Sequence, residues 1–183
     1  MSKERQVKIL ERQINDLALG INDLKNNDGE YYSIKQLEKS REKIEEKLKR
    51  LNNQSKKDDV VTFEQLGCDR IFVDEAHYFK NLFLFTKMRN VGGIAQTEAQ
   101  KSSDLFMKCQ YLDELTQGKG ITFATGTPIS NSMVEMYTMQ RYLQYNALEK
   151  RDLIQFDSWA STFGETVTAI ELAPERNRIQ SKN

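Results

Sequence analysis

Ile71-Phe72-Val73 is an apolar run that stops abruptly at Asp74-Glu75, and this junction constrains the fold of the 183-residue chain more than any other feature. The run is too short and too continuous for an amphipathic helix, and its β-branched and aromatic character predicts a buried strand. Two adjacent carboxylates at the C-terminal mouth of such a strand, followed by Ala76 and the only histidine, His77, are costly unless cations or donors meet them. A Mg²⁺-nucleotide site meets that need. Asp74 would hold the hard cation through water, and Glu75 would polarise an attacking water. The plainer alternative is an exposed acid pair opening a helix, where negative charge is favourable.

A second strand pattern, Ile121-Thr122-Phe123-Ala124, runs into Thr125-Gly126-Thr127-Pro128. Gly126 permits a tight backbone path, Pro128 fixes the exit, and two hydroxyls stand where strand meets loop. Ligand sites in open α/β sheets form beyond the carboxyl ends of strands, so both segments are expected to face one crevice. Together, Val73-Asp74-Glu75-Ala76-His77 and Ala124-Thr125-Gly126-Thr127-Pro128-Ile129-Ser130-Asn131-Ser132 resemble motifs II and III of superfamily-two helicases and translocases, especially the Swi/Snf-type ATPases. Val61-Thr62-Phe63-Glu64 is similar to the segment preceding motif II in that family, and Lys80-Asn81, Asn131 and Glu135 fall where relatives carry the same residue types. The chain also resembles phage- and mobile-element-borne proteins that join such a helicase to an adenine DNA methylase. The resemblance covers roughly residues 58–163.

That resemblance implies an α/β fold, a partial RecA-like parallel sheet with flanking helices, acting on ATP and Mg²⁺ in a longer parent protein. It implies catalytic roles for Glu75, Asp74 and His77, with Asp74 as the metal ligand. Asp74, Thr125, Gly126 and Thr127 would hold the nucleotide, and His77 would link it to Thr125 and Thr127, which pass nucleotide state to the DNA-binding face. The implied partners are DNA, double-stranded and gripped by the complete motor, the remaining helicase lobes, and a fused or associated DNA methylase. No G-x-x-x-x-G-K-[ST] loop occurs in these residues; Gly118-Lys119-Gly120 precedes a strand and cannot wrap a helix N-terminus around phosphates. The arginine-bearing motifs of a second motor lobe are also missing after residue 146. The expectation is the latter half of a first motor lobe, inactive alone. The alternative is a non-catalytic coiled-coil interaction module on a helicase-derived scaffold.

Residues 1–57 are expected to form a separate arm. Val7, Leu10, Ile14, Leu17, Ile21 and Leu24 alternate in threes and fours, as do Ile34, Leu37, Arg41, Ile44, Leu48 and Leu51. Two such stripes joined by Asn26-Asn27-Asp28-Gly29 predict an antiparallel helical hairpin, a coiled coil with Arg41 in its seam and Ser33 capping the second helix. Asn52 to Asp59 is a polar link to the motor part, 58–165, and 166–183 reads as a polar tail without structure after Pro174.

Between motifs II and III, Leu82-Phe83-Leu84-Phe85 is apolar, and Lys87 and Arg89 precede a diglycine. These two cations are candidate contacts to a DNA backbone; the alternative packs Phe83 and Phe85 on the sheet beneath a surface loop. Leu105, Phe106, Cys109, Leu112 and Leu115 predict a one-striped helix, and a methionine-rich helix should begin at Ser130/Asn131. Phe156, Trp159 and Phe163 form a C-terminal apolar cluster. The 27 basic and 27 acidic residues balance, which excludes a global basic field of the kind that marks many nucleic-acid binders. Cys68 and Cys109 lack metal-ligand spacing and are expected to be buried in a reducing, cytoplasmic setting. No segment suits a membrane span.

Overall fold

The computed structural model describes residues 1–26, 31–53, 61–86, 88, 99–130, 132–165, 169–172 and 179–182. It divides into two compact units, Met1–Cys68 and Asp69–Asn183.

In the first unit, helix α1 (Lys3–Asn26) lies against α2 (Tyr31–Asn53). The two run in opposite directions: Lys25 pairs with Glu38 at 2.9 Å, and Lys3 Nζ donates to the Asn52 carbonyl at 2.9 Å. The heptad spacing accounts for the seam, because Leu10, Leu17, Ile21, Leu37 and Ile44 are the buried hydrophobic residues. Arg41 avoids an unpaired seam charge by bonding Glu45 one turn along its own helix, at 3.0 Å. Helix α2 begins at Tyr31, so Ser33 lies inside it and is not its cap; the linking residues 27–30 lie outside the described residues.

Residues 61–68 belong to the same unit. A 3₁₀ turn over Glu64–Leu66 ends at Gly67 with φ of 67°, a left-handed value that suits glycine. Both Glu64 carboxylate oxygens accept from the Ser2 amide, at 2.9 and 3.1 Å, and Arg5 lies 3.9 Å away. Burial alone would raise this carboxyl, but hydrogen bonds from Ser2, its own amide and Thr62 overcome it and bring the group down to about 2.

The second unit is built on a parallel pair, β1 (Ile71–Val73) and β2 (Ile121–Phe123), in the register Ile71 to Ile121 and Val73 to Phe123. Helix α3 (Gln100–Thr116) makes the crossover, as parallel strands require. Gly120 is needed at the entry to β2, since a Cβ there would stand 2.7 Å from the Asp69 carbonyl. Helices α4 (Met133–Leu143), α5 (Tyr145–Glu149) and α6 (Phe156–Phe163) follow. One core gathers Val73, Ala76, Leu105, Phe106, Cys109 and Tyr142. Tyr142 donates to the carbonyls of Phe79 or Ser102, each at 3.0 Å, which satisfies a fully buried hydroxyl. A second core gathers Leu84, Val134, Tyr137, Leu148, Phe156 and Trp159.

Several sequence expectations change here. Strand β1 is buried on one face only, and Phe72 on the other face is 74% exposed. Leu115 is exposed while Asp113 takes the buried stripe, because 113 lies one turn from Cys109 and two from Phe106. Leu82 and Leu84, not Phe83 and Phe85, are the buried anchors of the segment after Asp74-Glu75. Cys109 is buried and Cys68 is exposed. The tail is not structureless: β3 (Ala169–Leu172) pairs antiparallel with β4 (Ile179–Lys182), where Ile170, Leu172 and Ile179 supply residue types that favour strands.

The Glu64 contacts generate a pH dependence. A carboxyl lowered from 4.5 to about 2 stabilises the folded state above pH 4.5, and that stability is lost as the pH falls toward 2. Glu64→Gln should therefore lower the melting temperature at about pH 6 and flatten its fall on acidification to about pH 2. Equal acid sensitivity in both proteins, followed by circular dichroism, would contradict the assignment.

Candidate functional site

The ladder between β1 and β2 continues past the last paired residues. The Ala124 amide donates to the Val73 carbonyl at 2.9 Å, and the Ala76 amide returns to the Ala124 carbonyl at 3.1 Å. These two bonds bring the acid pair beside the Thr125 loop at the carboxyl ends of both strands. Asp74 and Glu75 are both exposed. The Asp74 carboxylate accepts from the Glu75 amide at 2.9 Å.

Glu75 adopts φ of 50° and ψ of 48°, a left-handed conformation unusual for a residue with a Cβ. Such a conformation costs on the order of 1 kcal/mol and persists where surroundings enforce it. Here the enforcing bonds are the Ala76 ladder bond and a 3.0 Å bond from the Tyr78 amide to the Glu75 carbonyl. The turn aims the Glu75 carboxylate back at His77, whose Nδ1 lies 3.1 Å from Glu75 Oε2 and 2.9 Å from Thr125 Oγ1. A carboxylate only accepts, so the tautomer carrying its proton on Nδ1 serves both oxygens as a three-centre bond. Thr125 Oγ1 also accepts from the Thr127 amide at 3.2 Å.

The six candidate residues 74, 75, 77, 125, 126 and 127 thus sit in two adjoining loops, and His77 is the side chain that joins them. Gly126 is exposed, has ordinary negative φ, and a Cβ there would meet nothing within 4 Å, so no tight path requires glycine at that point. Lys87 and Arg89 lie outside the described residues.

A second tie lies behind the first. Glu135, in the first turn of α4 and 8% exposed, accepts from the Ser130 amide at 2.5 Å and pairs with Lys80 at 2.8 Å. Lys80 also reaches Ser130 Oγ at 3.3 Å. Glu135 therefore fastens the end of the Thr125 loop to the segment leaving the acid pair. The α4 cap is Ser132, which accepts from the Val134 amide at 3.1 Å; it replaces the expected start at Ser130/Asn131, and Asn131 is outside the described residues. The spacing Ser132-x-x-Glu135 is a capping-box signal that marks both residues in the sequence.

Among the described residues no group of three His, Cys, Asp or Glu side chains could enclose a metal ion. The exposed carboxylates of Asp74 and Glu75 instead suit a hard cation that keeps most of its water shell.

The whole chain, residues 1–183, matches the family described as a probable helicase domain, and the chain belongs to that family. It is 27% identical over 107 residues to the Defense against restriction protein B of Escherichia phage P1, a match covering 57% of this chain and 5% of that protein. The chain therefore spans only a small part of the length of this relative. No solved structure matches it. Among the described residues no helix is long and apolar enough to cross a membrane.

Glu135→Ala removes the acceptor of the Ser130 amide and strands Lys80. Because Lys80 is a third exposed, the expected loss is about 2 kcal/mol in denaturant unfolding of the full chain. A loss within error of zero would show that the two loops are held apart from this tie.

Proposed function

We propose that this member of the helicase family carries motifs II and III of an ATP-dependent DNA translocase of the superfamily-two, DEAH-bearing, Swi/Snf-like type. In this reading residues 58–165 are the latter half of the first RecA-like lobe, and residues 1–57 form a coiled-coil hairpin preceding them. The 2.9 Å contact between His77 and Thr125 carries the reading. It joins the acid-pair loop to the threonine loop, the link that a motor needs between nucleotide chemistry and movement on DNA. The exposed Phe72 side chain on one face of β1 supports a covering layer from elsewhere in a longer parent protein, which would also carry the phosphate-binding loop and second lobe.

In this proposal each side chain has distinct work. Asp74 would hold Mg²⁺ through water, and the bound ion would supply charge neutralisation of the nucleotide phosphates. Glu75 lies where a carboxylate can accept a hydrogen bond from a water and orient it toward a phosphate beyond the strand ends. His77 holds the Glu75 carboxylate and Thr125 hydroxyl in fixed relation, so displacement of one moves the other. Thr127 reports on Thr125 through its amide. Glu135 and Lys80 keep both loops anchored to α4 while this happens. Lys87 and Arg89 are the proposed backbone contacts to DNA, and a fused or associated DNA methylase remains part of the proposal on the resemblance alone.

In the complete motor, Glu75→Gln keeps the shape of the side chain but removes the carboxylate that orients water. ATP binding should remain within about threefold of wild type while the hydrolysis rate falls at least about a hundredfold. Hydrolysis at the wild-type rate, in a phosphate-release assay with DNA present, would remove Glu75 from the mechanism.

A further inference from the structure

The end of the sheet opposite the acid pair holds a different feature. Helix α3 finishes there at Thr116, with β2 beginning at Ile121. A cavity of about 980 Å³ opens between the C-terminal turns of α3 and α4, helix α5 and the end of α6. Asp113 lines it and is only 6% exposed. Its side chain forms no hydrogen bond or ion pair among the described residues. Lys150 and Arg151 line the same cavity at exposed positions, and neither pairs with it.

An unpartnered carboxylate inside a protein is unfavourable, because it gives up water and receives nothing in return. Burial accordingly pushes the Asp113 carboxyl up to about 6, which still leaves it ionised at neutral pH. Cys109 interacts with it, and Glu114, Lys150 and Arg151 share the cavity lining. Cys109 is itself pushed up to about 12 by burial and by the Asp113 charge, so it stays a neutral thiol. The C-terminal ends of α3 and α4 add partial negative charge from their last carbonyls. The walls beside Asp113 include Leu143, Leu148 and Leu153, with Phe163 at the rim. A charged acceptor in the lining, two negative helix ends and neighbouring leucines describe a slot for a cation on an alkyl stem.

We propose that this cavity binds a guanidinium group carried on an alkyl chain, with the Asp113 carboxylate as its acceptor. A guanidinium is favoured over an ammonium because its planar fork meets a carboxylate with two parallel hydrogen bonds and is less strongly hydrated. The alkyl stem lies along the leucine wall, and the rim ring of Phe163 faces the cation as it enters. The group comes either from a free small molecule or from an arginine side chain of a polypeptide. The site lies away from the acid pair and does not depend on the motor reading.

Trp159 is the only tryptophan and a built-in reporter. Its Nε1 donates to Gln140 Oε1 at 2.6 Å, and its ring lies 5.5 Å from that of Phe163; both partners line the cavity. Titrating the full chain with agmatine, and separately with the blocked peptide Gly-Gly-Arg-Gly-Gly, should change Trp159 fluorescence in a saturable way. Asp113→Asn should weaken binding at least about tenfold, the scale of a charge-assisted bond. Its melting temperature without ligand should equal or exceed that of wild type, since the amide removes the buried charge. Tighter binding of the peptide than of agmatine assigns the group to a polypeptide side chain, and the reverse assigns it to a free molecule. No saturable change with either probe overturns the proposal. So does unchanged binding by Asp113→Asn, or a lower melting temperature for that variant, which would make Asp113 a structural residue.

Discussion

Two hydrogen bonds past the end of a three-residue parallel pair govern the candidate site. Without the Ala124-to-Val73 and Ala76-to-Ala124 bonds, the acid pair and the threonine loop would be neighbours only in a loose sense. With them, Glu75 is forced into a left-handed turn and His77 is brought within 2.9 Å of Thr125. A two-stranded sheet is marginal by itself. Its stability comes from α3 and α4, which bury Val73, Cys109, Leu105 and Tyr142 against one face. Tyr142 ties that packing together, since its hydroxyl lies within reach of carbonyls on the segment after β1 and on α3.

The local chemistry is consistent with a working site. Glu75 is a non-glycine residue held in a costly backbone conformation, and strain of this kind clusters where geometry matters more than stability. The Glu135 tie has the opposite character. Its carboxylate is nearly buried and multiply bonded, so it acts as a rigid support. An exposed acid pair with one strained member on a rigid support is an arrangement suited to presenting carboxylates to a ligand.

Much of this was legible in the sequence, for local reasons. Alternating threes and fours at Leu10, Leu17, Leu37 and Ile44 mark the buried seam of the helical hairpin, because a helix has one periodicity to express. The strands at 71–73 and 121–123 were legible because short apolar runs ending in polar turns leave little else to form. That both loops face one crevice followed from the rule that ligands gather at carboxyl ends of parallel strands, whereas the link from His77 to Thr125 came from the family resemblance alone. What escaped depends on distant neighbours. The run Ile71-Phe72-Val73 says that both faces are apolar, but only the layers present decide that Phe72 stays exposed. Asp113 sits on the helical stripe of Phe106 and Cys109, yet an apolar template passes over an acid there and selects Leu115, which the fold leaves in solvent. The two tail strands depend on each other: Ala169–Leu172 and Ile179–Lys182 are each four residues long, too short for a periodic pattern to mark them alone.

The central claim is that His77 physically joins the acid-pair loop to the threonine loop, with its proton on Nδ1 shared between Glu75 and Thr125. His77 is the only histidine, so its ring nitrogens can be observed without assignment ambiguity by long-range ¹H–¹⁵N correlation on uniformly labelled chain under conditions where the ring is neutral. The account predicts an Nδ1-protonated ring in wild type and a shift of its nitrogen signals in Thr125→Val. A ring protonated on Nε2 with bare Nδ1, unchanged by Thr125→Val, would contradict it.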